Sequence, residues 1–481
     1  MSMPRISFLS QDEIEAIHNA SLEVLERTGI KIESRRALDI LKEAGARVDY
    51  GKNHATIPRN LVKEALKRAP KTIKYGARNS KYDFILNKQE PHFLADGGTP
   101  FILDWKTGKR RYSTSEDIAS CSVIADYLDH VHLMWTMGAA TDVPVPMQHI
   151  VEMYTCLKNT EKHFEGDSLS AREAQYQIEI AAAIVGGREE LKKRPIVSMV
   201  ICPISPLRYD KGTVEASMEL ARAGVPVAID PMPMVGETCP ATLAGAVVVN
   251  NAEFLGGLAI QEFASPGAPV VYKAGADTVD FKTGAGIQSP ESSLMHLALN
   301  QLIHYYDLPS EIKASRSDSK LLDAQAGYEN AISLVAHMLL APDIILGLGG
   351  LEGARITSPE TLVIDNEIID YALRFTQGFE VNDDTLALDV IDKVGPGGIY
   401  LGEKHTLEHF RERWMSRISD VDSFETWEKK GSKSIAEAAK EKIKEILATH
   451  KPAPIAEEVQ AEVSQILKRA EVELLNFPQK S

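Results

Sequence analysis

Short apolar runs in this sequence repeatedly end on a residue that can bind or polarise a ligand. Trp135 follows VHLM, Glu165 and Asp167 lie in HFEGD, and Asp230 follows VAI. Gln261 and Glu262 end the long apolar stretch that starts at 241. Tyr272 lies in APVVYKA, and Arg316, Asp318 and Glu352 stand in segments beyond it. If the runs are barrel strands, their C-terminal ends share one mouth, the face on which such folds bind ligands. Acids and aromatic rings around one mouth suit a cation, because an aromatic face attracts a quaternary ammonium. Glu262, Glu352 and Asp230 are the candidates for the reacting centre, with Trp135, Tyr272 and Gln261 lining it. Taken singly, each also fits a helix cap or a rim position.

Other chemistries find little support in the sequence. HExxH, GxSxG and GxxxxGK[ST] are absent, and the glycine-rich PGGIYLG and GLGGLEG lack the spacing of a nucleotide loop. HTLEH puts His405 and His409 four residues apart, on one helix face. With no third ligand in sight, no metal is expected there. Lys273 and Lys313 are the strand-end lysines that an aldolase or lyase would need, and both are read as solvated. Cys121, Cys156, Cys202 and Cys239 form no CxxC pair and are expected to be reduced.

The elements that would position these residues follow an α/β rhythm. VHLMWTM (131–137), HFEG (163–166), PIVSMVI (195–201), VPVAIDP (225–231), APVVYKA (268–274), SEIKA (310–314) and DIILGLG (343–349) read as buried parallel strands. Helices over 171–185, 212–223, 241–258, 290–306, 323–340 and 359–376 separate them. This is the pattern of a (β/α)8 TIM-type barrel over 113–425. Residues 1–112 read as an α+β extension. Its helices start at Ser10 and Ser34, KTIKY, YDFIL and PHFLA form short strands, and a hairpin spans 101–112. Residues 426–481 read as charged amphipathic helices on the surface. The stretch 241–260 carries Asn250, Asn251 and Glu253 and reads as a buried helix rather than a membrane span. Lys and Arg total 53 against 68 Asp and Glu, a net charge of −15 over 481 residues. That balance gives no general attraction to nucleic acid or anionic membranes, and a cytoplasmic protein is expected.

The stretches ADGGTP (95–100), LLDAQAGYENA (321–331), LGLGGLEGA (346–354), LVIDNEII (362–369) and GPGGIYLGEKHTLEHFRERWMSRISD (395–420) carry a resemblance. The chain resembles the trimethylamine methyltransferase family, and within it the members without pyrrolysine, such as glycine betaine methyltransferases. The resemblance implies a (β/α)8 barrel that moves a methyl group from a methylated amine to the Co(I) corrinoid of a small separate protein. The family's pyrrolysine would fall near 316–320, where this chain has the standard residues RSDSK. That points to a quaternary amine: glycine betaine first, giving dimethylglycine, then proline betaine, carnitine or γ-butyrobetaine. Arg316, His405 or backbone N–H groups would then receive the betaine carboxylate. The DxHxxG loop of cobalamin-carrying domains is absent, so no tightly bound cofactor is expected in this chain and the corrinoid protein is a partner. A homo-oligomer is expected. A non-catalytic quaternary-amine binding protein is the reading from another class.

Overall fold

The computed structural model describes residues 6–476. Eight parallel strands close into one barrel in chain order: β1 His92–Ala95, β2 Leu133–Met134, β3 His163–Asp167, β4 Val197–Ile201, β5 Val227–Ile229, β6 Val270–Ala274, β7 Ser310–Lys313 and β8 Ile344–Leu348. All seven runs read as strands are barrel strands. The eighth, β1, comes from PHFLA, inside the 1–112 range assigned to the extension. It pairs with β8 and β2 and closes the barrel. Its four residues lie close to two true hairpin strands, Ile73–Tyr75 and Phe84–Leu86, and nothing in its length or composition separates it from them.

Nearly every residue of β1 to β8 is buried, since side chains alternate between the barrel interior and the surrounding helices. The hairpin 73–86 plugs the N-terminal end of the barrel. Tyr75 stacks on His163 at 4.3 Å and Phe84 on His92 at 4.0 Å, and these histidines begin β3 and β1. Burial lowers the pKa of both histidines to about 4, so they are neutral packing groups.

The long apolar segment is the helix Leu243–Ala264. It is long and apolar enough to cross a membrane, yet 72% of its most apolar window is buried inside the protein. The helices Gln11–Arg27, Arg35–Ala44 and Arg59–Arg68 of the N-terminal extension cover it. The first two start where the sequence places them: Ser10 makes a capping box with Glu13, Ser34 caps the second helix, and left-handed Gly45 ends it. The helix's polar residues tie down loops at the barrel mouth. Asn250 donates to the carbonyls of Pro231 and Gly275, and Glu253 accepts from Ser205 Oγ and Leu207 N.

The C-terminal helices Ile435–Thr449 and Glu457–Asn476 brace the outside of the barrel. Lys442 reaches Tyr127, His450 reaches Asp126, and Arg469 pairs with Glu179. Between the last barrel helix, Pro359–Gln377, and these braces, no residue from 377 to 438 is buried. None of the four cysteines is paired.

Candidate active site

Interior-facing residues near the C-terminal ends of the strands put a dense set of charges on the barrel axis. Lys273 of β6 is fully buried, with Nζ 2.8 Å from Glu165 Oε1 on β3 and 2.6 Å from Glu311 Oε1 on β7. The Glu311 approach is an ion contact off the hydrogen-bonding direction. The same ammonium lies 4.1 Å from the centre of the Trp135 ring. Ser198 Oγ stands 3.0 Å from both Glu165 Oε2 and His163 Nε2, which fixes Glu165 from below. Burial opposes the Lys273 charge, but Glu165, Glu311 and Asp230 together hold its pKa above the usual lysine range. Burial, and then Glu165, push Glu311 well above the usual carboxylate range. Glu311 is therefore the carboxyl of this cluster whose charge burial opposes, with Lys273 acting against the shift.

One layer closer to the mouth, Asp230 Oδ1 stands 3.7 Å from Lys313 Nζ. Both atoms are buried and neither has a hydrogen-bond partner among the described residues. Burial raises the Asp230 pKa, with Lys313 acting against the shift. Gly275 makes room for the pair, since a Cβ there would lie 2.4 Å from Lys313 Nζ and 2.7 Å from Asp230 Oδ1. Asp167, at the end of β3, is raised to about 6, chiefly by burial. Arg316 holds Asp96 with two bonds, Nη2 to Oδ1 at 2.5 Å and Nε to Oδ2 at 3.1 Å, tying the loop after β7 to the end of β1. Gly350 passes over this pair, where a Cβ would meet Asp96 Oδ2 at 2.3 Å.

A hairpin, Thr278–Asp280 with Ala285–Ile287, lies beside the mouth. Gln288 N donates to Asp318 Oδ2, and Met234 bridges to Asp277. Glu352 sits on the rim in a left-handed conformation, with its amide donating to the Ser319 carbonyl and Oε2 buried without a partner.

Of the candidates from the sequence, Trp135, Asp230, Arg316 and Glu352 are at the mouth, with Asp167 and Asp318, and Glu165 lies one layer below. Two of these are partly committed. The Trp135 ring holds the Lys273 ammonium, and two of the Arg316 nitrogens are taken by Asp96. The structure places the other four elsewhere. Glu262 and Gln261 lie at the C-terminal end of Leu243–Ala264. A helix that follows a barrel strand starts at the mouth and ends at the opposite face. There Glu262 caps the loop before β6 by accepting from Gly267 N, and Gln261 donates to Ser217 of a neighbouring helix. Tyr272 points out of the barrel. It stacks on Phe254 at 3.6 Å and donates to Asn250 Oδ1 at 2.7 Å. His405 is on an exposed helix outside the barrel, next to Asp384. Lys273 and Lys313 are buried rather than solvated. The Lys273 ammonium is held charged by acids, the opposite of the neutral amine that Schiff-base chemistry needs.

The placement of Tyr272 has a simple expected outcome. Tyr272→Phe removes a buried hydrogen bond and leaves Asn250 Oδ1 unpaired, so it should lower stability by about 1–2 kcal/mol. Substrate affinity should not change. Chemical denaturation and a binding titration separate the two effects, and a changed affinity with unchanged stability would place the ring in the site after all.

Residues 1–474 match the family described as trimethylamine methyltransferase (MTTB). The chain is 35% identical to trimethylamine methyltransferase MttB of Desulfitobacterium hafniense, over 96% of this chain and 94% of that one. It is 33% identical to a glycine betaine methyltransferase of the same species, over 97% of each. MttB of Methanosarcina barkeri is 33% identical, over 97% of this chain and 95% of that one. Among solved structures, the monomethylamine methyltransferase MtmB of Methanosarcina barkeri shares the fold, with a TM-score of 0.53 at 12% identity over 98% of this chain and 88% of that one. A barrel closed around charges from successive strands, matched along nearly its whole length by these relatives, places the chain in the trimethylamine methyltransferase family.

Proposed function

We propose that this protein transfers a methyl group from a quaternary amine, glycine betaine first, to the Co(I) corrinoid of a small separate protein, releasing dimethylglycine. The observation that carries this reading is the separated Asp230–Lys313 pair. At 3.7 Å it is longer than a charge-assisted hydrogen bond, about 2.7–2.9 Å. A betaine is a zwitterion. Its ammonium matches Asp230 and its carboxylate matches Lys313, so both buried charges gain a partner. Trimethylamine has no carboxylate to offer Lys313, and RSDSK at 316–320 contains no pyrrolysine.

The reduced corrinoid supplies the nucleophile, so the protein needs no base. A quaternary nitrogen keeps the electron pair of the broken C–N bond and leaves as a neutral tertiary amine. The work of this chain is to remove water from the ammonium, orient one methyl outward, and fix the far end of the substrate through Lys313. The cluster Lys273–Glu165–Glu311 is a rigid floor below that site. The exposed apolar residues of 377–438, such as Phe379, Leu401 and Val421, are the surface we assign to homo-oligomer contact. A cytoplasmic location accords with this reading.

With glycine betaine and a reduced corrinoid acceptor, the protein should yield methylated corrinoid and dimethylglycine in equal amounts. Cobalt absorption spectra and amine analysis follow the two products. If trimethylamine reacts and no quaternary amine does, the substrate assignment is wrong. If glycine betaine binds and no methyl moves even to the cognate corrinoid protein, the chain is a binding protein.

A further inference from the structure

The exposed segment 377–438 has no buried residue to hold it in shape, yet it brings together ligands that the sequence leaves far apart. The short helix Asp383–Leu386 presents Asp384, and the helix Lys404–His409 presents His405 and His409 on one face. One ligand atom from each of the three lies within 4.8 Å of the others. The expectation that HTLEH has no third ligand is thereby corrected, because Asp384 is 21 residues away in sequence and adjacent in space.

We infer that Asp384, His405 and His409 form a divalent transition-metal site, best suited to zinc, that pins these two helices together. His409 Nε2 stands 3.4 Å from Asp384 Oδ2. That is long for a charge-assisted hydrogen bond, about 2.7–2.9 Å. It matches the separation of about 3.4 Å between two ligands that each lie about 2.1 Å from a tetrahedral ion. An independent contact orients the ring. His409 Nδ1 is 2.8 Å from Glu412 Oε1, and a neutral ring that donates there presents the lone pair of Nε2 toward Asp384. This is the carboxylate–histidine–metal arrangement of protein zinc sites. His405 Nε2 donates to the Asp384 carbonyl at 3.1 Å, which holds the ring against the same residue, and ligation through that nitrogen would exchange this bond for the metal. Two imidazoles and one carboxylate suit zinc and neighbouring metals rather than magnesium or calcium. The cluster opens on a concavity of about 890 Å³ also lined by Arg374, Phe379 and Glu412, so a solvent molecule has access to the fourth position. The site lies outside the barrel and is independent of the methyl-transfer reading. Its contribution is structural, since metal binding supplies the ordering energy that a segment without a core lacks.

The test uses the full-length protein incubated with zinc chloride, desalted, and analysed by plasma mass spectrometry, with isothermal titration by zinc for affinity. One zinc per chain should be retained. His405→Ala, His409→Ala and Asp384→Asn should each lose it, with the unfolding transition of the barrel unchanged because all three positions lie outside it. Glu412→Gln should keep the stoichiometry and bind about 10- to 100-fold more weakly. Chelation should speed tryptic cleavage within 377–438 and leave the barrel intact. Retention well below one zinc per chain, millimolar affinity, or equal retention in the His405 and His409 variants would overturn the site.

Discussion

Replacing Lys273 with methionine is expected to destabilise the protein by about 3–5 kcal/mol, the cost of leaving a buried charge without its partner. Lys273 Nζ is the cation that faces both Glu165 and Glu311, and all three residues are fully buried. Without it, Glu165 must take up a proton or remain an uncompensated anion beside the Glu311 carboxyl. Hydrophobic gain from methionine is small because the stem of the lysine is already packed. The double variant Lys273→Met with Glu165→Gln removes the orphaned charge together with its partner. It should therefore be more stable than the single variant by about 2 kcal/mol, the size of coupling seen between contacting residues. Glu311→Gln alone should cost less than Lys273→Met, because burial already opposes the charge it removes and Glu165 still faces the lysine. Equilibrium denaturation of the wild type, Lys273→Met, Glu165→Gln and the double variant completes the cycle. A double variant no more stable than Lys273→Met would show that the lysine contributes packing rather than charge balance.

This cluster shows where sequence reading reaches and where it stops. Parallel strands covered on both faces are nearly continuous apolar runs, so seven of eight were legible. The direction of a side chain within a run was not read, although the alternation carries it. Tyr272 and Lys273 are neighbours, so only one can face the axis, and it is the lysine rather than the aromatic ring expected there. The interior positions of β3, β6 and β7 hold Glu165, Lys273 and Glu311, charged residues in otherwise apolar strands. A charge at an interior position of a buried strand must be paired, and three such positions of opposite sign were sufficient to predict that they meet. Glu262 failed for a topological reason. The helix after β5 carries its last residues away from the mouth by about 1.5 Å per residue, so the far end of a helix of 22 residues lies on the opposite face of the barrel. The grouping of Asp384 with His405 and His409 was out of reach for another reason, because the chain between them runs through the helix Leu388–Val394 and a glycine-rich turn whose path no local pattern encodes.

Asp230→Asn is expected to raise the KM for glycine betaine about 100-fold, equivalent to about 2.7 kcal/mol, while kcat changes little. A carboxylate about 4 Å from an ammonium contributes up to about 4 kcal/mol where the effective dielectric constant is near 20. That attraction belongs mainly to the bound substrate. As the methyl group departs, positive charge leaves the nitrogen, so the carboxylate holds the transition state less strongly than the ground state. Removing it therefore weakens binding without slowing methyl transfer in proportion, and kcat can rise. Asp167 adds a pH dependence of defined sign. Its pKa is raised to about 6 by burial, and only the ionised form attracts the ammonium. KM should be flat above that value and should rise as pH falls through it, and Asp167→Asn should remove the rise. Steady-state kinetics across pH 5–8 with a saturating corrinoid acceptor measure both effects. A loss confined to kcat, with KM unchanged in Asp230→Asn, would show that Asp230 does not face the substrate nitrogen and would remove the main support for a zwitterionic substrate.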